Sequence, residues 1–335
     1  MQANLKRYRA SVLKAACEGR LVPTEAELAR QEGRDYEPAD KLLRRILRER
    51  RARWEADTLA KMQASGKLPK DDHWKQKYKE PSAPDTSNLP PLPEGWCWAN
   101  FSQVIWRLRS GSAETSGREV TDYPVLKSSA VRPEKIDFDD LIYLEESQSS
   151  NEDNFLQLDD VLVTRLSGSL EYVGVCAIVT TLPSRRIQYP DRIFCGKPAE
   201  NIDGIYLSHC FSHGPLRAPM EQAAKSTAGH QRISMSDLSP FAFPLPPWNE
   251  QQRISVEIEK HLSLLENAYV MIQADLRRAE RLWQAILSSA FTGQLVPQDP
   301  TDEPASALLE RIRAGRVESS KKTVARRAAE KRGQR

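Results

Sequence analysis

Two stretches of this chain echo each other, and a long segment of different texture lies between them. The first reads Leu13-Lys14-Ala15-Ala16-Cys17-Glu18-Gly19-Arg20-Leu21-Val22-Pro23, the second Leu287-Ser288-Ser289-Ala290-Phe291-Thr292-Gly293-Gln294-Leu295-Val296-Pro297. After a short insertion the echo resumes. Glu37-Pro38-Ala39-Asp40-Lys41-Leu42-Leu43-Arg44-Arg45-Ile46 answers Glu303-Pro304-Ala305-Ser306-Ala307-Leu308-Leu309-Glu310-Arg311-Ile312. Repeats that flank unrelated sequence predict two equivalent helical struts holding a separate domain.

The first strut is predicted as a helix from Leu5 to Cys17, ended by Gly19 and followed by Pro23. Glu25 to about Ala64 predicts one or two exposed helices. Their basic face (Arg44, Arg45, Arg48, Arg50, Arg51 and Arg53) reads as solvated surface. Residues 67–93 hold Pro69, Pro81, Pro84, Pro90, Pro91 and Pro93 and read as a linker. Trp74 and Tyr78 should pin that linker to a neighbouring surface.

Residues 94–247 read as a mixed domain able to bury its own core. Strands are expected at Tyr123–Leu126, Asp160–Thr164 and Val173–Val179, where β-rich runs are bounded by turn residues. Helices are expected at Ile205–Ser212 and Leu216–Lys225. Pro244-Leu245-Pro246-Pro247 then breaks the chain, and residues 248–295 form one long helix. Its apolar seam is Ile258, Leu262, Leu265, Tyr269, Ile272, Leu276, Ala279, Trp283, Ile286 and Ala290, spaced alternately by four and three. That alternation is the pattern of a coiled coil. The helix needs a partner along its length, and the first helix is too short to cover it all. Residues 296–335 read as a helical, basic tail. The fold class is therefore α+β: one mixed domain flanked by helical segments (1–66 before the linker) and followed by a coiled-coil helix.

Composition narrows the chemistry. The net charge of +3 does not by itself imply a polyanionic partner. From Arg311 to Arg335, however, ten Lys or Arg face two Glu, a local surplus of +8. Such a tail is usually a solvated end, with polyanion binding as the other use. The five cysteines form no C-x-x-C pair. His209, Cys210 and His213 are too few for a metal centre, so no metal is expected. Scattered cysteines and no signal peptide point to a reducing cytoplasm, and no apolar run reaches the ~18 residues of a membrane span.

With these elements placed, a resemblance emerges. Gly229-His230-Gln231-Arg232-Ile233-Ser234, Phe243-Pro244-Leu245-Pro246-Pro247, Glu250-Gln251-Gln252-Arg253-Ile254 and the heptad helix ending Ala290-Phe291-Thr292-Gly293-Gln294-Leu295 occur in that order. Together they resemble the specificity subunit of type I restriction-modification enzymes. Leu92-Pro93-Glu94-Gly95-Trp96-Cys97-Trp98 resembles the entry to a target-recognition domain of that family, and Asp160 to Ser169 its internal strand and turn. The resemblance implies a DNA reader that docks modification and restriction subunits. Family members usually carry two recognition domains and two helical regions. This chain has one domain and a shortened first strut, so it resembles the C-terminal half, which could act as a homodimer or beside another half-subunit.

Catalytic motifs are missing. Pro246-Pro247-Trp248 is preceded by Leu245, not by the Asn or Asp of an amino-methyltransferase loop. No Lys has an acid two residues before it, as a common metal-dependent nuclease requires. No phosphate-binding G-x-x-x-x-G-K-[ST] occurs, and no cofactor is expected.

Reading DNA needs phosphate anchors and polar side chains at base edges. The candidates are Lys127 and Ser128 after a strand, Arg165, Ser167 and Ser169 in a turn, and Lys225, Ser226, His230, Gln231 and Arg232 in a polar loop. The other reading of each is a solvated loop, and for Lys127 it is the stronger one. Trp96, Trp98 and Trp106 read as packing residues. The leading expectation is a non-catalytic, double-stranded-DNA-recognising specificity subunit. The alternatives are a coiled-coil scaffold or adaptor, or a truncated remnant of a specificity subunit.

Overall fold

A computed structural model describes residues 2–66, 69, 71–112, 116–117, 121–144, 152–227, 230–297, 299 and 301–332. It divides into two compact units, Met1–Asn267 and Ala268–Arg335.

The first unit opens with three helices: α1 (Gln2–Cys17), α2 (Glu25–Glu32) and α3 (Ala39–Ala64). Gly19 and Gly33 follow α1 and α2 in the left-handed region, at φ +65° and +64°, where a side chain would be strained. Thr24 starts α2 with a reciprocal cap: its Oγ1 accepts from Glu27 N at 3.2 Å, and the Glu27 carboxylate accepts from Thr24 N at 2.9 Å.

The central region then runs β1 (Cys97–Asn100), α4 (Phe101–Val104), β2 (Ile105–Ser110), β3 (Ser116–Gly117), β4 (Pro124–Leu126), β5 (Val131–Arg132), β6 (Lys135–Ile136), β7 (Leu141–Leu144), β8 (Val161–Thr164), β9 (Leu166–Ser167), β10 (Cys176–Ile178) and β11 (Ile193–Pro198). It continues through α5 (Gly204–Ser212), α6 (Gly214–Ala223), β12 (Lys225–Thr227), β13 (His230–Arg232), α7 (Met235–Leu238) and β14 (Ala242–Leu245). Helix α8 (Trp248–Phe291) follows, and α9 (Ala305–Arg332) lies in the second unit.

An antiparallel sheet of order β10-β8-β11-β2 is the centre of this region. All four residues of β8 are buried. Val161 and Val163 enter one apolar cluster and Leu162 the other, because successive side chains leave opposite faces of a strand. The run is continuously apolar because both faces are covered.

The larger cluster joins the struts to the central region. Val12, Leu13, Ala16 and Cys17 of α1, Ala39, Leu42 and Ile46 of α3, and Ile254 and Ile258 of α8 share it with Tyr206 and Phe211 of α5. Leu42 and Ile46 are fully buried, and each stabilises the fold by about 1.5–3 kcal/mol. A buried polar tie supports α1. Glu134, in the β5–β6 turn, takes Arg9 of α1 at 2.6 Å and lies 2.9 Å from Nδ1 of His209 on α5. Burial opposes the Glu134 charge, but His209 and then Arg9 outweigh it and bring its carboxyl down to about 2.

Helix α3 leaves Arg44, Arg48, Arg51 and Arg53 of its basic face exposed, and several of its arginines also have partners within the chain. Arg44 pairs with Asp40, Arg45 with Glu37 and Arg51 with Glu55. Arg50 donates to Ile105 O at 2.8 Å, and the Arg53 guanidinium stacks 3.6 Å from the Trp106 ring centre. The arginines thus serve ion pairs and docking onto β2. Trp74 is buried and stacks on Trp54 of α3, with Tyr78 beside it, so the proline-rich linker is held against that helix.

The first turns of α8 carry a buried polar anchor. Gln251 accepts from Asp203 N at 2.9 Å and donates to Pro246 O at 2.9 Å. The Glu250 carboxylate accepts from Trp96 Nε1 at 3.0 Å and Glu25 N at 2.8 Å. Of the heptad seam, Ile258 is buried, while Leu262, Leu265, Tyr269 and Ile272 are half-buried. Leu276, Trp283 and Ile286 are exposed by 52%, 62% and 41%. Among the described residues nothing covers this distal part of the seam.

Candidate nucleic-acid interface

The segments singled out by sequence come together on one small sheet. Lys225–Thr227 and His230–Arg232 are strands rather than loop. Strands β12 and β13 pair as a hairpin, with Lys225 opposite Arg232 and Ser226 opposite Gln231. Strand β13 also pairs with β9, placing Gln231 opposite Ser167 and Arg232 opposite Leu166. The 3₁₀ turn Ser128–Ala130 lies next to β9. Three segments far apart in sequence thus bring cations, hydroxyls and an amide to one place.

The side chains differ in availability. Lys225, His230 and Arg232 are exposed and Gln231 half-buried. The side chain of Ser226 and the tip Ala228-Gly229 lie outside the described residues. Lys127 is engaged by Asp140 at 2.8 Å, and its hydrogen bond, followed by that of Ser129, holds the Asp140 carboxyl below its ordinary range. Ser128 is half-buried in the turn next to β9. Arg165 is half-buried, donates to Asp191 O at 3.2 Å and leans over the Phe194 ring. Ser167 Oγ accepts from Ser169 N, and Ser169 Oγ accepts from Glu171 N, both at 3.3 Å. The turn after β9 is thereby pinned by its own hydroxyls.

Two arginines absent from the sequence reading shape this surface. Arg132 of β5 stacks 4.6 Å from the Tyr172 ring centre. Arg217 of α6 is buried and reaches the carbonyls of Leu170, Glu171, Val173 and Gly174. Neither left a signal in sequence, because an arginine in a polar helix or edge strand reads as solvated.

The tryptophans pack: Trp96 and Trp106 are buried, and Trp98 donates to Pro90 O at 3.2 Å. His209 is committed to Glu134, and burial pushes His213 below its ordinary value. Among the described residues no group of His, Cys, Asp and Glu is arranged to hold a metal ion. No described helix is long and apolar enough to cross a membrane.

Comparison with known proteins gives this geometry a setting. No protein-family model matches the chain. It is 32% identical over 235 residues to the type I restriction enzyme EcoKI specificity subunit of Escherichia coli (strain K12), an alignment covering 68% of this chain and 51% of that one. It is 25% identical over 254 residues to the StySPI specificity subunit of Salmonella potsdam, covering 70% and 52%. Among solved structures, the crystal structure of the HsdS subunit from Thermoanaerobacter tengcongensis matches 76% of this chain and 56% of its own, at 20% identity and a TM-score of 0.38. The chain is a homologue of the specificity subunits of type I restriction enzymes, and it spans about half the length of the curated relatives it matches.

Proposed function

We propose that this chain is a non-catalytic DNA sequence-recognition subunit of a type I restriction-modification complex. It directs adenine methylation and cleavage that partner modification and restriction subunits carry out in the cytoplasm. Residues 94–247 are its target-recognition domain, and the flanking helices are its spacers and docking struts. The observation that carries this reading is the convergence of Arg165–Ser169, Lys225–Arg232 and Lys127–Ser128 on one three-stranded sheet and its adjoining turn. Phosphates need cations, base edges need directional donors and acceptors, and this surface offers both. Homology to proteins named as specificity subunits supports the same reading.

The test is a map of methylated adenines in cells expressing the chain with its modification subunit, against cells lacking the chain. A motif that appears only with the chain is expected. Absence of any motif, with both proteins soluble, would sink the reading and favour a scaffold or a remnant. The exposed distal seam of α8 favours one refinement, in which two copies pair through Leu276, Trp283 and Ile286. A two-fold pair reads two equivalent half-sites, so the motif would be palindromic; an asymmetric motif would point to pairing with a different half-subunit.

A further inference from the structure

The turn after β9 presents an exposed leucine on an immobilised backbone. Leu170 is 40% exposed. It follows Ser167, Gly168 and Ser169, directly beyond the strand that pairs with Gln231 and Arg232. Leu158, Leu182 and Leu264 of the first unit are at least as exposed, but none of them adjoins β9 in the chain, whereas Leu170 lies in the turn that directly follows it.

The backbone beneath Leu170 is held from several directions. Arg217, only 8% exposed, donates to Leu170 O at 3.3 Å, Glu171 O at 3.1 Å, Val173 O at 2.5 Å and Gly174 O at 3.2 Å. Its Nε is fixed by Glu221 at 2.6 Å. Thr164 Oγ1 donates to Tyr172 O at 2.7 Å and accepts from Val175 N at 3.0 Å. Arg132 covers the Tyr172 ring. Gly174 sits at φ +66° with Met220 Sδ where a Cβ would be. Burying a guanidinium carries a desolvation cost, and a surface turn does not need such a clamp to close. A side chain that must meet a partner at a fixed position does.

We infer that Leu170 is a specificity-determining residue that packs against the C5 methyl of a thymine in the major groove, and that Arg217 is the residue positioning it. The inference rests on the DNA-recognition reading above. Leucine offers no hydrogen bond, and the apolar feature a major groove displays at a base edge is the thymine methyl.

The test uses the assembled complex with its modification subunit and the duplex identified by the methylation map. Single thymines are replaced in turn by 2′-deoxyuridine, which removes the methyl and keeps the pairing. Wild type should lose about fourfold in affinity at one thymine, the effect of uncovering one buried methyl. Leu170→Ala should bind the thymine and deoxyuridine duplexes equally. Arg217→Lys should also lose that discrimination while keeping the slope of affinity against salt, which counts phosphate contacts. A Leu170→Ala complex that still discriminates, or a wild type indifferent at every thymine, would overturn the inference alone. A complex with no sequence-specific binding at all would overturn the reading beneath it.

Discussion

Glu250 offers the sharpest quantitative test of how the long helix is anchored. Its side chain is fully buried at the start of α8. Burial pushes its carboxyl up to about 7, and the hydrogen bonds from Glu25 N and Trp96 only partly offset this. A carboxyl raised from 4.5 to about 7 stays protonated in the fold at pH values where the unfolded chain has already released its proton. Its contribution to stability is therefore full below pH 4.5 and lost as pH rises through 7. At 1.36 kcal/mol per unit, the folded protein should lose about 2.5 kcal/mol between pH 5 and pH 8 through this one group. Glu25 works in the opposite direction. Burial would raise its carboxyl, but Arg34, Arg253 and Asn249 together hold it below its ordinary value, so its contribution is lost on acidification. The variant Glu250→Gln removes the titration and keeps one acceptor oxygen, at a cost of about 1 kcal/mol for the other. It should be slightly less stable than wild type at pH 5 and more stable at pH 8. Urea unfolding of both proteins at pH 5, 6.5 and 8 reads the difference directly. Parallel pH profiles for the two proteins would refute the reasoning.

Other outcomes follow from the same geometry. Ile258→Ala should destabilise the chain by about 2–5 kcal/mol, because Ile258 is fully buried in the larger apolar cluster, whereas Leu276→Asp should leave urea unfolding of the isolated chain within about 0.5 kcal/mol and act only on self-association seen by sedimentation. Glu134→Gln should cost about 3 kcal/mol, since it leaves Arg9 and His209 facing a neutral partner; its effect in chemical denaturation should vanish as pH falls from 4.5 to about 2. In DNA titrations, Lys225→Ala with Arg232→Ala should lower the salt slope by about two, uniformly across sequences, while Lys127→Ala should matter less because Asp140 already holds that ammonium.

What the sequence disclosed follows the range of the interactions involved. The α8 seam repeats every three or four residues, so its period shows directly. Gly19 and Pro23 end α1 by local geometry, and β8 is apolar throughout because two clusters enclose it. The Lys225–Arg232 hairpin was hidden: its residues are polar, with no apolar alternation to betray a strand. Its third strand, β9, lies some sixty residues earlier in the chain. The grouping of the candidate residues was hidden for the same reason, since only tertiary pairing sets Gln231 beside Ser167. Arg217 and the α3 arginines could not be told from solvated cations, because the carbonyls, rings and carboxylates they meet are mostly distant in sequence or common to any helix.

The shared core of struts and central region bears on how such a chain can be recombined. Leu13, Ala16, Leu42 and Ile46 pack into the same cluster as Tyr206, Phe211 and Phe243. Transplanting residues 94–247 alone would set these four side chains against a foreign surface and open voids or clashes at each. A viable graft carries α1 to α3 along with the central region and is cut inside α8, near Asn267, where one compact unit gives way to the next. The exchangeable part is α1 to α3 and the central region together, and the linear order of segments conceals it.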